Sequence, residues 1–270
     1  MPLIFISAGD PSGDIHAARL MSKMKEIIPN VEFIGIGGDR MQAEGLQSIV
    51  PIQEISVVGF WEVLKKINVF RNLMSNCKDI FSNQKIDLFL PVDYPGFNIK
   101  LAKYAKSRNI PVAYYIAPQL WAWGQKRAQQ LSDIDKLFVV FPFEVDFFKQ
   151  HGINAEFVGH PLLDNPVLKQ EPLDFSEREN IIALLPGSRQ QEIEKHLKLF
   201  IQSAVLFKEE YPDFQIVLAK NASTNIDRYL YFLQDNNVLL EENSLELMKK
   251  AKIGIVKTGT SNLEAALAGM

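Results

Sequence analysis

One short stretch of the chain, LLPGSR at residues 184–189, combines residue types that suit a phosphate ligand. It follows an apolar run and leads into a charged, helical pattern. Gly187 lets the backbone approach a ligand, Ser188 can donate to a phosphate oxygen, and Arg189 can bind one with two hydrogen bonds. Glu192 near the helix start complements the helix dipole. The stretch predicts a diphosphate site, and the alternative is a capped loop with a surface arginine.

A second turn of this kind lies at residues 257–267, KTGTSNLEAAL. Thr258, Gly259 and Thr260 bring hydroxyl and N–H donors to another helix start. Glu264 lies one turn inside that helix, where its carboxylate could bind a ribose diol. Either turn alone is weak evidence, but together they predict a site for a nucleotide diphosphate.

The acidic residue best placed for proton transfer is Asp93, which directly follows the apolar run 86–92. A carboxylate at the carboxyl end of a parallel strand faces the ligand edge of the sheet, where partial loss of water raises its pKa toward that of a general base. The Pro-Gly turn after it leads into a helix that Asn98 is expected to cap. The alternative for Asp93 is an acceptor in an Asx-turn, and the sequence leaves both open.

Residues 7–20, SAGDPSGDIHAARL, place small residues between a strand and a helix expected to begin near Asp14. Gly9 and Gly13 permit close approach of the backbone to a ligand. Ser12 or Asp14 is expected to cap the helix and leave its start facing the ligand edge. From spacing alone, a tight capped turn is the favoured interpretation.

Residues 114–131, YYIAPQLWAWGQKRAQQL, place flat aromatic surface beside cations. This pattern suits a sugar or an acyl chain together with a phosphate, and its candidate contacts are Gln119, Trp121, Lys126 and Arg127. Core packing of the aromatic residues and a solvated helix face explain it equally well. His160, in GHPLLD, is a further candidate for substrate binding, and a structural histidine at a hinge is an equal alternative.

The elements that position these loops form a repeating strand and helix pattern. Apolar runs rich in β-branched or aromatic residues occur at 2–8, 31–38, 86–92, 112–117, 136–141 and 155–159, with helical patterns such as 16–28 and 98–109 between them. This alternation predicts an α/β fold with parallel, doubly wound sheets. After three prolines and a charged run beyond residue 160, it restarts with strands at 181–186, 215–220 and 253–258. We therefore expect two Rossmann-like domains, 1–165 and 166–270, facing each other across a cleft.

Composition excludes several classes of protein. The net charge of −3 gives no electrostatic basis for binding nucleic acid. A single cysteine, Cys77, excludes an internal disulfide and a thiolate metal cluster, in agreement with a cytosolic location. The sequence lacks a spanning apolar run and a signal peptide. It stops after a strand, a turn and the start of a helix, so we expect the protein to continue past Met270.

Residues 55–74, ISVVGFWEVLKKINVFRNLM, are unusually apolar and carry few charges. As a helix, they would present bulky apolar side chains beside cations, which is typical of a helix that lies in a membrane interface or holds acyl chains. An amphipathic helix packed on its own domain is the more frequent arrangement. The residues expected to contact membrane or acyl chains are Val57, Val58, Phe60, Trp61, Leu64, Ile67 and Phe70.

A series of motifs occurs in a specific order from the first strand to Met270. It comprises AGDPSGD, MQAEG, SVVGFWEVL, DYPGFN, YYIAPQLWAW, PFE, FVGHPL, LLPGSR and TGTSNLEAAL. This series resembles the lipid-A-disaccharide synthases, a family of glycosyltransferases with the GT-B fold. The chain departs from the usual family pattern at Gly96, where a second acidic residue is commoner, and at Lys257 and Asn262. Family members also continue beyond the last of these motifs.

The resemblance implies a definite reaction, in which UDP-2,3-diacylglucosamine and 2,3-diacylglucosamine 1-phosphate form a β(1→6) disaccharide and UDP on the route to lipid A and lipopolysaccharide. It implies one inverting displacement, with Asp93 as base, Arg189 stabilising the leaving diphosphate, and no metal or other cofactor. Domain 1–165 would bind the acceptor and lipid, and domain 166–270 the UDP-sugar. The enzyme would be cytoplasmic and peripherally bound to the inner membrane, and the resemblance allows a homodimer.

Two other interpretations stay open. Other GT-B enzymes that use UDP-GlcNAc, the peptidoglycan transferase and the 2-epimerases, share the fold. The former usually opens with a Gly-rich loop ending in histidine, where this chain has AGDPSGD. The chain could also be a non-catalytic fragment that binds nucleotide.

Overall fold

The computed structural model describes residues 1–50, 67–220 and 225–270. The chain divides into two compact units, Met1–Pro161 and Leu162–Met270. Both units are built from parallel strands alternating with helices. The α/β class predicted from the alternation is therefore confirmed.

The first unit contains strands β1 to β7: Leu3–Ser7, Glu32–Ile36, Leu46–Ser48, Leu88–Pro91, Ala113–Tyr115, Lys136–Val139 and Glu156–Phe157. Four of them pair in the order β3-β2-β1-β4, and the other three in the order β5-β6-β7. Single bridges, Phe89 with Val112 and Val92 with Tyr115, join the two sets at β4 and β5. The strand order reverses between β1 and β4, so their carboxyl ends form a switch point, where sheets of this kind bind ligands.

The helices of the first unit are α1 to α6: Pro11–Ile27, Asp39–Ala43, Ile67–Asn83, Pro95–Ser107, Leu120–Trp123 and Pro142–Gln150. Two of them begin earlier than the sequence pattern predicts. Both α1, expected to begin near Asp14, and α4, expected from residue 98, start at a proline. Proline suits the first turn because its fixed φ is helical and its missing N–H would be unpaired there.

The central strand β1 is rigidly packed. Phe5 is fully buried, with its ring 4.8 Å from that of Phe81 and 5.7 Å from that of Phe89, both edge-on. Burial of such a ring contributes about 1.5–3 kcal/mol. On the neighbouring strand, a Cβ at Gly35 would lie 2.0 Å from the carbonyl oxygen of Ile6, so only glycine fits beside β1. This packing fixes the strand ends that carry the candidate site.

The second unit repeats the architecture with strands β8 to β11: Glu179–Leu185, Gln215–Ala219, Val238–Glu241 and Ala251–Val256. Its helices are α7 to α10: Gln190–Glu210, Leu230–Asp235, Ser244–Lys250 and Thr260–Leu267. The strand order β10-β9-β8-β11 puts a second switch point between β8 and β11. Strand β10 was missed by the sequence prediction because it is short and exposes Leu239 and Leu240.

The charged run after the prolines contains a buried cation. Arg178 is 4% exposed, and its guanidinium donates to four carbonyl oxygens, those of Leu173, Met248, Ala251 and Ala268. Three of these carbonyls lie at the ends of α9 and α10, where helices lack internal partners and carry partial negative charge. One side chain thus closes two helix ends of the second unit.

Candidate active site

Asp93 lies in the turn that joins β4 to α4, at the switch point of the first unit. Asp93 and Tyr94 both have positive φ, 46° and 53°, a conformation that is strained for residues other than glycine. The Asp93 N–H donates to the carbonyl of Tyr115 at 3.1 Å. The Asp93 carbonyl accepts from the side-chain amide of Asn98 at 2.8 Å and from the hydroxyl of Tyr114 at 2.6 Å. These bonds hold the strained turn in place.

The carboxyl group of Asp93 is suited to exchanging a proton near neutral pH. Burial and, second, the negative charge of Asp10 raise its pKa from 3.8 to about 6, against the opposing effect of a hydrogen bond from the Tyr94 amide. A carboxyl group with this pKa is mostly ionised at pH 7 and is a stronger base than an ordinary aspartate. The raised pKa of Asp93 was predicted from its position after the strand, and its role as a base stays a prediction.

Asp10 is an acidic residue of this edge that the sequence prediction missed. Its Oδ1 accepts from the N–H of Gly13 at 2.7 Å, and the hydroxyl of Ser12 lies 3.2 Å away. Asp10 therefore caps α1, and the prediction that Ser12 or Asp14 caps it is wrong. The sequence did contain a signal for this cap, because an acidic residue directly before a proline, here Pro11, is a common helix start.

The two turns at the switch point pack directly against each other. A Cβ at Gly9 would lie 2.3 Å from ring carbons of Tyr94, so the turn after β1 tolerates only glycine there. Burial in this contact raises the pKa of the Tyr94 hydroxyl well above its usual range. Gly9 was expected to let the backbone approach a ligand, and in the structure it admits the tyrosine ring.

Asp14 and Asn98 are buried and hydrogen bonded within the first unit. Oδ1 of Asp14 accepts from the N–H groups of Gly38 at 2.7 Å and Met41 at 3.2 Å, at the start of α2. Asn98 lies inside α4, not at its cap, and accepts from the hydroxyl of Ser7 at 2.7 Å. The capping role predicted for Asn98 is wrong. Asp14 holds the turn after β2 and Asn98 the turn after β4, and their direct contact with substrate stays a prediction.

Two histidines lie near each other in the first unit, His16 on α1 and His160 near the end of the unit. Burial and then the charges of His160 and Arg19 lower the pKa of His16 to about 4, and its buried Nδ1 lacks a hydrogen-bond partner among the described residues. Burial also lowers the pKa of His160, whose ring lies 5.3 Å from that of Phe141. Both imidazoles are therefore neutral at pH 7. Substrate binding by His160 stays a prediction.

Trp121 is held by a buried carboxylate. Its indole N–H donates to Oε1 of Glu144 at 3.0 Å, and its ring meets that of Phe143 edge-on at 5.0 Å. Glu144 is fully buried, burial raises its pKa, and its Oε2 accepts from the N–H groups of Val140 and Phe141. These contacts fix the position of the Trp121 ring, and its contact with substrate stays a prediction.

A small cavity lies beside the turn that carries Asp93. It has a volume of about 50 Å³ and is lined by Pro95, Pro118, Gln119, Leu120, Gly124 and Arg127. The cations Lys126 and Arg127 are exposed on the short helix Gln125–Leu131. Of the predicted contacts in this stretch, Gln119 and Arg127 are the two that face a cavity.

In the second unit, the predicted phosphate loop already holds an anion, the carboxylate of Glu192. Its Oε2 accepts from the N–H groups of Ser188 at 3.1 Å and Arg189 at 3.3 Å, and its Oε1 lies 3.3 Å from the Arg189 guanidinium. Gly187 has φ 123°, and a Cβ there would lie 2.4 Å from Oε2. Glycine at this position therefore lets the carboxylate reach the loop, and the predicted role of Glu192 at the helix start is confirmed.

Lys257, at the end of β11, is a cation that the sequence prediction did not assign to the site. Its Nζ lies 2.7 Å from Oε1 of Glu192. Burial acts to raise the pKa of Glu192, but the hydrogen bond and charge of Lys257, with smaller contributions from Arg189, lower it below its usual value. The carboxylate is thus ionised and shared by two cations.

The two loops of the second unit border one cavity of about 240 Å³. Its lining comprises Leu185, Gly187, Ser188, Ala219, Lys220, Glu242, Ser244 and Ser261. Thr258, Gly259 and Thr260 are exposed at the start of α10. Glu264 is partly buried within α10, and burial raises its pKa. The structure thus brings together the two loops that the sequence predicts to bind a nucleotide diphosphate.

The predicted membrane or acyl segment is described only in part. Val57, Val58, Phe60, Trp61 and Leu64 lie outside the described residues. On α3, Ile67 is 42% exposed, whereas Phe70 packs partly against the core of the first unit. Among the described helices, none has the length and apolar character needed to cross a bilayer.

Comparison with known proteins identifies the family. The family model for lipid-A-disaccharide synthetase matches residues 4–270. The chain is also 38% identical over 275 residues to lipid-A-disaccharide synthase 1 of Legionella pneumophila, covering 98% of this chain and 72% of that protein. The chain belongs to the lipid-A-disaccharide synthetase family. This membership makes it a hexosyltransferase of lipid A biosynthesis, which confirms the prediction from the motif series.

Solved structures share the fold of this chain at low sequence identity. UDP-GlcNAc 2-epimerase from Neisseria meningitidis, bound to UDP-GlcNAc, aligns with a TM-score of 0.61 and 14% identity over 96% of this chain and 78% of its own. MurG of Acinetobacter baumannii aligns with a TM-score of 0.59 and 12% identity over 97% and 74%. These likenesses confirm the two Rossmann-like domains of the GT-B fold, and the alternative functions gain no support beyond the fold.

The two residues predicted to be catalytic lie at the two switch points, Asp93 in the first unit and Arg189 in the second. The sequence prediction missed Asp10, His16 and Lys257. Asp10 and Lys257 each follow a strand end, a position that could have indicated them. His16 carries no such signal, because its burial depends on packing against distant residues.

Proposed function

We propose that this chain transfers a diacylglucosamine from UDP-2,3-diacylglucosamine to the 6-hydroxyl of 2,3-diacylglucosamine 1-phosphate, which gives the β(1→6) disaccharide 1-phosphate and UDP. The observation that supports a base-assisted transfer best is the raised pKa of Asp93, about 6, at the switch point of the first unit. A rigid, strained turn carries this carboxylate, as expected for a preorganised catalytic group.

Asp93 is the general base of this proposal. Its carboxylate accepts the proton of the 6-hydroxyl while that oxygen bonds to the anomeric carbon and the bond from this carbon to UDP breaks. Attack from the face opposite the leaving group inverts the anomeric centre in a single step. The nearby charge of Asp10 strengthens the base, because it disfavours the ionised form of Asp93.

The second unit supplies the donor site. The start of α7 and the guanidinium of Arg189 stabilise the charge that gathers on the leaving diphosphate. Donors at the start of α10 hold the remaining nucleotide, with Glu264 facing the ribose. The supporting observation is that the loops after β8 and β11 line one cavity, including Gly187 and Ser188.

The first domain, 1–165, binds the acylated acceptor, and domain 166–270 binds the UDP-sugar. Residues 55–74 contact acyl chains or the inner leaflet from the cytoplasmic side, and the exposed Ile67 supports this placement. The substrate contacts proposed for the first domain are Ser12, Gly13, Asp14, Asn98, Gln119, Trp121, Lys126, Arg127 and His160. A homodimer remains a further prediction.

Replacement of the base tests this function. Asp93→Asn should keep the fold and UDP affinity, while product formation from the two acylated sugars falls by about two decades or more, since the proton acceptor is gone. Asp79→Asn, an exposed change of the same kind on α3, should retain turnover. Chromatographic measurement of the disaccharide decides the outcome, and full activity of Asp93→Asn would remove Asp93 from the mechanism.

A further inference from the structure

Glu192 is the common acceptor of four hydrogen bonds that come from two loops. Two come from the backbone N–H groups of Ser188 and Arg189, one from the Arg189 guanidinium, and one from Lys257. The loop after β8 and the end of β11 therefore meet at one carboxylate.

The surroundings of Glu192 hold it in place more firmly than an ordinary helix-capping residue. Its side chain is 13% exposed, whereas those of Lys257 and Arg189 are 30% and 46% exposed. The more buried members of the cluster, Glu192 and Lys257, also form its shortest contact, 2.7 Å. Arg189 is the member that solvent or a ligand reaches most easily.

We infer that Glu192, fixed by Lys257, is a positioning residue that sets the phosphate loop and Arg189 for the leaving diphosphate. This inference rests on the proposed donor site and extends it with two residues. One carboxylate between two cations leaves a net positive charge beside the loop, so the cluster still attracts a diphosphate. Lys257 acts through Glu192, and it links the two loops that hold the nucleotide.

If Glu192 instead competed with the phosphate, its replacement would change UDP affinity in the opposite direction. If the carboxylate merely occupied the phosphate position, removal of its charge would strengthen UDP binding, because the like charge is gone. If Glu192 positions the loop, removal of its charge weakens UDP binding, although the site becomes more positive. The direction of the affinity change therefore distinguishes the two roles.

The decisive variants are Glu192→Gln and Lys257→Met, with Lys257→Arg as the conservative replacement. Calorimetry should give UDP affinity about tenfold weaker for the first two, as expected for loss of a hydrogen bond to a charged group. Lys257→Arg should restore most of the affinity. The KM for the UDP-sugar should rise more than kcat falls. Lys195→Met, on an exposed position of α7, and Glu194→Gln are the matched controls and should bind UDP normally.

Hydrogen exchange of the nucleotide-free chain separates this inference from the proposed function. The amides of Ser188 and Arg189 should exchange faster in Glu192→Gln and Lys257→Met than in the wild type and the controls. Unchanged exchange, or UDP affinity that is equal or tighter in Glu192→Gln, overturns the inference. Failure of the wild type to bind UDP would instead overturn the proposed donor site, while the exchange rates would still test the role of Glu192 in the loop.

Discussion

At Asp93, the burial that raises the pKa also costs stability once the carboxyl group ionises. The folded pKa, about 6, lies above the ordinary value of 3.8, so the native state binds more protons between these pH values. The stability from the neutral carboxyl is fully present below pH 3.8 and is lost as the pH rises through 6. The proposed base is therefore ionised at pH 7 at a cost in the stability of the fold that holds it.

Asp93→Asn should therefore stabilise the first unit at pH 7.5, by about 1–3 kcal/mol, because the amide stays neutral. The difference from the wild type should disappear near pH 4. Urea unfolding followed at both pH values measures it. An equal stability of the two proteins at pH 7.5 would contradict the raised pKa.

At the scale of elements, two turns cooperate at the first switch point. The turn after β1 supplies Asp10, which caps α1, and the turn after β4 supplies Asp93, the proposed base. Gly9 lets the ring of Tyr94 pack between the two turns. Asp10 thus both caps a helix and raises the pKa of Asp93. Substitution by asparagine separates the effect of the negative charge of Asp10 from that of its capping hydrogen bond, because asparagine caps helices as well as aspartate does.

Asp10→Asn should leave the stability within about 1 kcal/mol of the wild type, since the cap bond to Gly13 is retained. Loss of its negative charge should lower the pKa of Asp93. The acidic limb of the pH profile of kcat/KM, expected near pH 6 in the wild type, should then move to lower pH. Asp79→Asn serves as the charge-matched control, and an unmoved limb would argue against coupling between the two carboxylates.

At the scale of the whole molecule, each unit carries its own cores and its own switch point. The buried Arg178 belongs to the second unit alone, where it closes the ends of α9 and α10. Because four carbonyls depend on one guanidinium, this residue should affect the stability of one unit without the other.

Arg178→Met should destabilise the second unit by about 2–4 kcal/mol, since buried carbonyls lose charged donors. Scanning calorimetry should show a lower transition temperature for this unit, with the transition of the first unit unchanged. The exposed change Lys195→Met should leave both transitions in place. Equal losses in both units would show that they unfold as one cooperative body.

The strand and helix alternation, the turns that hold the candidate site residues, and the family could all be predicted from the sequence. These features are local, because periodicity, turn residues and motif order are written in neighbouring residues. Asp93 could be selected for the same reason, as it directly follows a buried strand. The prolines that begin α1 and α4 were also readable, although the caps assigned to Ser12, Asp14 and Asn98 were wrong.

Only the tertiary structure decided which partners each polar side chain meets. Asp14 holds the start of α2, Glu192 accepts from Lys257, 65 residues away, and Arg178 reaches the end of α10. Such contacts depend on strand order and on which loops share a switch point, and both are set by long-range packing of buried surface. Local residue patterns do not encode contacts between residues that are far apart in the chain. The charge pairs of the site could therefore not be predicted from the sequence.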